Sequence, residues 1–155
     1  HLSGTSEHMP LFSDVLRYVN GRVPLLIELK LPDSNMKLCP AAWDILKDYK
    51  GPYMIQSFNS LGIRWFHKHA PQVLRGQLSS ALTPENPFLA RFCVQFLLTN
   101  LICRPDFISY KLADTGNPSV WLNHYLYRIP MAVWTLRNQK TYKTARNKYD
   151  MYISP

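Results

Sequence analysis

Short apolar runs alternate with amphipathic helical stretches about six times along this chain, at spacings suited to βα units. No other feature narrows the accessible folds as much. The clearest run is Val23-Pro24-Leu25-Leu26-Ile27-Glu28-Leu29-Lys30, with turn signals at Asn20-Gly21 and Pro32-Asp33. Such a run predicts a strand buried on both faces, as in parallel sheets covered by helices. Period-two alternation places Glu28 and Lys30 on the same side of it. Opposite charges at the end of a buried strand are costly as structure and common as chemistry, so this strand end is the first candidate for an active edge.

The remaining segments follow in βα order. Residues 9–20 carry Leu11, Phe12, Val15, Leu16 and Val19 at helical spacing, with Pro10 near the start and Gly21 past the end. A second helix covers about 40–49, and the strand 53–58 ends in the polar pair Asn59-Ser60. A helix over 61–69 stops at Ala70-Pro71. The short strand 73–78 contains Gly76, a position where another backbone or a ligand can approach. The turn at 83–87 leads to a long apolar helix from 88 to about 101, then a strand over 107–110. The pattern closes with a helix over 119–127, a strand over 131–136, a basic helix and the terminal Met151-Tyr152-Ile153.

Polar residues repeatedly follow the apolar strand cores: Glu28 and Lys30, Gln56 to Asn59, Gln77, Trp134 and Thr135. In a barrel of parallel strands those ends gather at one face and build the site. The chain has neither a GxGxxG nor a Walker A loop, so the doubly wound phosphate-binding folds lack their usual signature. The expected fold is therefore α/β, a (β/α)8 TIM barrel within a single domain over 1–155. The strand count is short of eight, which predicts an incomplete barrel.

Composition agrees with one globular domain: 155 residues, 46% hydrophobic and 13% aromatic. The formal charge of +8 is concentrated at the C-terminal end, where Arg128, Arg137, Lys140, Lys143, Arg146 and Lys148 face a single acid, Asp150. Helical spacing makes most of these a solvated outer face, with attraction of an anionic substrate or an acidic membrane surface as the functional counterpart. No helix-turn-helix, zinc-finger or RNP-like motif supports nucleic-acid readout. Three cysteines (Cys39, Cys93, Cys103) without CxxC spacing predict buried thiols in a reducing compartment, the cytoplasm by default. No signal-peptide-like stretch opens the chain.

Taken in order, Val23–Lys30, Gln56-Ser57-Phe58-Asn59, Arg75-Gly76-Gln77-Leu78 and Val133-Trp134-Thr135-Leu136 resemble the later two thirds of the glycerophosphodiester phosphodiesterase family. The stretch 9–19 is similar to the family helix that precedes its Ile-Glu-x-Lys strand. The resemblance implies a (β/α)8 barrel of the phosphodiesterase type, lacking here its N-terminal strands. It also implies a phosphoric diester hydrolase that cleaves small-molecule glycerophosphodiesters to glycerol 3-phosphate and an alcohol, in lipid metabolism, with a divalent metal (Ca2+ or Mg2+).

Glu28 is then expected as a metal-binding carboxylate and Lys30 as a catalytic cation near metal and phosphate. Phe58 and Trp134 are expected as aromatic walls of the glycerol side, with Gln77 at the rim. The resemblance further implies two catalytic histidines and other carboxylates on an His-Arg-Gly strand, a Glu-x-Asp strand and a His-Asp pair upstream of Glu28. None of these occurs in the chain, and His1, His8, His67, His69 and His124 match none of them. The competing expectation is a catalytically incomplete, phosphodiesterase-like binding or membrane-associated module. Its membrane candidate is the apolar stretch 88–103, too short to span a bilayer but long enough to lie at its surface.

Overall fold

Six strands, β1 (Leu25–Glu28), β2 (Tyr53–Ser57), β3 (Leu74–Ser79), β4 (Phe107–Lys111), β5 (Met131–Trp134) and β6 (Met151–Ile153), pair in parallel in unbroken sequence order in the computed structural model. The structure describes residues 8–31, 35–80 and 100–154. The helix expected from 88, together with Cys93 and His1, lies outside them, except for its last turn, α4 (Asn100–Cys103). The terminal Met151–Ile153 pairs with β5 as a sixth strand. The sheet curls into an open half of a (β/α) barrel, with helices on its outer face.

That outer face is built by alternation. Register aligns Ile27 with Ile55, and Gln77 with Ile108 and Met131. Residues of this parity pack under the helices: Ile55 and Leu29 join Leu16 of α1 (Phe12–Val19), Cys39, Ala42 and Leu46 of α2 (Leu38–Leu46) and Phe66 of α3 (Ser60–His69). Ile108, Tyr110 and Met131 pack on Val120 of α5 (Pro118–Trp121, continued by a π-helical turn to Leu126). Val133 packs near Ala145 of α6 (Gln139–Ala145). Local signals start the helices where they are needed. Asn59 caps α3 by accepting from the Leu61 N–H at 3.0 Å, and Asn138 and Thr141 form a capping box on α6.

The N-terminal ends of the strands are tied by Arg75, 5% exposed, whose Nη2 lies 3.2 Å from Asp106 Oδ1. Asp106 Oδ2 also accepts the Arg75 backbone N–H at 3.0 Å, so one carboxylate joins β3 to the approach of β4. Cys39 and Cys103 are fully buried free thiols, as the cysteine spacing predicts. Among the described residues no helix is long and apolar enough to cross a membrane.

Two sequence expectations are corrected. The β1 strand is not buried on both faces: it is the sheet's edge, it pairs only with β2, and its residues alternate between half-buried and exposed. Glu28 and Lys30 are exposed in this sheet. Gly76 does not receive a ligand or a backbone. Its missing Cβ is the space taken by the Phe107 ring, whose carbons would stand 2.2 to 2.8 Å from that atom.

Two outcomes follow from this packing. Gly76→Ala drives a methyl into a ring only 3% exposed and should cost about 1–3 kcal/mol in urea unfolding. Burial also raises Cys39 to about 11 and Cys103 to about 12, and raises Tyr53 and Tyr110. Above the ordinary thiol value of 9.0 the unfolded chain releases protons that the folded chain keeps, so stability should fall as pH rises from there toward 12. Thermal unfolding measured against pH checks the sign.

Candidate active site

The inner face carries the opposite parity. Register aligns Glu28 with Gln56, Gly76 and Phe107 across four strands, and Lys111 with Trp134 and Ile153 across three. Curling brings the two ends of this surface together. One cleft of about 180 Å³ is lined by Glu28 from β1, Gln56 and Phe58 from β2, Leu78 from β3, Trp134 and Thr135 from β5, and Ile153 from β6. A strand-by-strand reading would keep β1 and β6 five positions apart; the cleft they share marks the sheet as part of a barrel.

A second, wider cleft of about 560 Å³ adjoins it through Glu28 and Phe58 and adds Lys30 and Asn59. A third, of about 680 Å³, adjoins through Trp134 and Thr135 and extends over Lys111, Arg137 and Lys140. All three open at the C-terminal strand ends. Another cleft, between α1 and the loop before β2, lies at the N-terminal ends around Gly21 and Gly51 and lacks this company.

Two polar groups of the first cleft find no partner among the described residues. Gln56 is 7% exposed, yet its Oε1 is buried with no hydrogen-bond partner among the described residues. The indole Nε1 of Trp134 is in the same condition. Leaving such a group unpaired costs about 1–3 kcal/mol, and both line one cavity as an acceptor and a donor. The Phe58 and Trp134 rings meet edge to face at 6.2 Å, an apolar wall beside those groups. Glu28 and Lys30 form no ion pair with each other, so the carboxylate and the ammonium point into the open clefts as separate charges.

Of the residues expected from sequence, the structure brings Glu28, Lys30, Phe58 and Trp134 together. It does not bring Gln77. That side chain has the outer parity, is 0% exposed and faces the helix layer. Its Nε2 donates to the carbonyls of Phe58 at 3.1 Å and Leu78 at 3.0 Å, and its Oε1 accepts from Cys103 Sγ at 3.7 Å. Its polar groups are spent on holding β2, β3 and α4, so it is not at the rim.

Lys111 is absent from the strand-end residues expected from sequence, and Gln56 is among them without a role of its own. The signal was available: the alternation that pairs Glu28 with Lys30 also pairs Gln56 with Phe58. The described histidines stay away from the clefts. His69 stacks on Trp65 at 4.4 Å, and His124 lies against Tyr125 and Tyr149 near Asp150.

A hard divalent cation takes six or more oxygen ligands. Glu28 is the carboxylate on these clefts and fits part of such a shell. Among the described residues no group of three His, Cys, Asp or Glu converges. The chain's own donors therefore fit the ion in chemistry and fall short of it in number.

No protein-family model and no curated protein matches this sequence. Solved structures do match its fold. A Silicibacter pomeroyi protein described as a glycerophosphoryl diester phosphodiesterase superposes with a TM-score of 0.75 at 17% identity, over 95% of this chain and 53% of its own. A glycerophosphodiester phosphodiesterase of Parabacteroides distasonis gives 0.72 at 16% identity, over 94% and 59%. A phosphodiesterase of Oleispira antarctica, in complex with the product sn-glycerol 3-phosphate, gives 0.67 at 15%, over 91% and 54%. The chain thus spans 53% to 59% of the length of these three, and it has the fold of that part of their barrels. The resemblance read from Val23–Lys30 and its successors holds at the level of fold.

A direct check on the cleft is Gln56→Leu. Because the amide oxygen has no partner, the apolar replacement should leave stability unchanged or raise it by about 1 kcal/mol. Loss of more than that on unfolding would mean that the amide serves the fold.

Proposed function

We propose that this chain forms the substrate-side half of a phosphodiester hydrolase acting on glycerophosphodiesters, with glycerol 3-phosphate and an alcohol as products. The observation that carries this is the single cleft in which Glu28, Gln56, Phe58 and Trp134 meet, with Lys30 beside it, at the C-terminal strand ends of the half-barrel. The Oleispira antarctica phosphodiesterase, which shares the fold, was solved with sn-glycerol 3-phosphate.

The roles follow from the chemistry of each group. Phe58 and Trp134 offer an apolar wall for the glycerol carbons and exclude water from that side. Gln56 and Trp134 line the same cleft, and a side-chain rotation would bring the buried acceptor of the one and the buried donor of the other to the ligand's oxygens. Lys30 offsets the charge that develops on the phosphate oxygens as the diester bond breaks. A divalent cation, Ca2+ or Mg2+, would be held in part by Glu28, and when bound it would polarise the phosphoryl group.

One observation favours a second reading, a phosphodiester-binding module without hydrolysis. No described histidine reaches the clefts, and Glu28 is the one carboxylate lining them. Hydrolysis then requires an acid, a base and further metal ligands beyond the residues described.

The test is release of glycerol 3-phosphate from glycerophosphocholine and related diesters by the full-length protein, with and without chelator. Activity lost to chelator and to Glu28→Ala supports the hydrolase; binding without release supports the module. Lys30→Ala should lower turnover about 100- to 1,000-fold. Its stability should stay within about 0.5 kcal/mol of the parent, since the side chain is exposed.

A further inference from the structure

The cleft beyond Trp134 and Thr135 has a composition unlike its neighbours. Lys111 ends β4, Arg137 follows β5, and Lys140 lies in the first turn of α6; all three line it, and no carboxylate does. None of the three takes part in an ion pair among the described residues. Three like charges gathered without a counter-charge repel one another, an arrangement that an anion relieves. The helix start that Arg137 precedes and Lys140 belongs to is held by the Asn138–Thr141 capping box, with bonds of 2.9 Å and 3.3 Å. Their backbone positions are therefore set before any ligand arrives.

The position of this cleft matters as much as its charge. Trp134 and Thr135 line both it and the cleft that holds Glu28, so they form a shared wall between the two. A molecule whose glycerophosphoryl part sits on the Glu28 side and extends past Trp134 enters the cationic side. At about 680 Å³ that side has room for a sugar or polyol as well as an anionic group.

We propose that the Lys111–Arg137–Lys140 cleft is a second anion subsite, and that the preferred diesters carry a phosphate on their alcohol portion. This rests on the phosphodiester reading above for the first half of the ligand, and adds the chemistry of the second half.

The experiment is a calorimetric titration of the full-length protein with glycerophosphoglycerol and with the same diester phosphorylated on its distal glycerol. The phosphorylated diester should bind about tenfold tighter, and that advantage should shrink as salt is raised past about 0.15 M. Arg137→Gln with Lys140→Gln should erase the advantage and leave glycerophosphoglycerol binding unchanged. Both side chains are exposed, and Lys111→Gln provides an independent variant on another element.

Equal behaviour of the two ligands, whether both bind or neither does, overturns the subsite. So does an advantage that survives all three substitutions. Inorganic phosphate is the third arm: if it abolishes the advantage without displacing glycerophosphoglycerol, the cleft takes the distal phosphate. If it displaces both diesters alike, the cations serve the diester phosphate itself and the proposal fails. Failure of the hydrolase reading shows elsewhere, as a full binding advantage with no release of glycerol 3-phosphate from either diester.

Discussion

Everything in this structure depends on six parallel strands pairing in unbroken order. Parallel neighbours need a crossover, and crossovers are right-handed. When the strand order never reverses, every crossover lands on the same face of the sheet. The helices then cover the outer parity alone, as the packing of Ile55, Ile108 and Val133 shows. A doubly wound sheet reverses its order and acquires helices on both faces. This one cannot, so its other face is buried only by curling upon itself.

The curl decides which polar residues are structural and which are available. Gln56 and Gln77 are the same residue type on adjacent strands, and both are nearly or fully buried. Gln77 has the outer parity and meets backbone carbonyls and a thiol, so its amide is consumed. Gln56 has the inner parity, where no helix can supply a partner, and its oxygen is left without one. The unpaired Trp134 indole has the same origin. At the C-terminal strand ends the inner face has no helix to satisfy such groups; among the described residues, Arg75 Nε and His67 Nδ1 are unpaired elsewhere in the fold.

Much of the fold was legible because strand spacing and turn residues are local properties. The strands at 53–58, 73–78, 107–110 and 131–136, and the helices expected after the first, third and fourth of them, lie within a few residues of their expected positions. What failed was what depends on neighbours. The Val23–Lys30 run reads as doubly buried, but burial on the inner side requires strands beyond β1, and in this sheet β1 is an edge. Gly76 reads as an opening until the register sets Phe107 opposite it. Gln77 reads as a rim residue because it follows an apolar core, yet parity turns it outward. Period two along a single strand pairs Glu28 with Lys30 and says nothing of the strands beside it. Carried across, it selects Gln56, rejects Gln77 and finds Lys111 level with Trp134.

The same parity argument explains why the charged residues here are free to act. A buried ion pair at a strand end would trade desolvation against attraction and end near zero. Glu28 and Lys30 avoid that exchange: they stand at the edge of the curl, exposed and unpaired with each other. An ionic contact between strands sits at their other end, where the nearly buried Arg75 and the half-buried Asp106 tie β3 to β4. Charges that hold the barrel together and charges that can meet a ligand are thus separated by the length of a strand. Substitution at the C-terminal end can alter binding while the tie at the N-terminal end keeps the register on which the site depends.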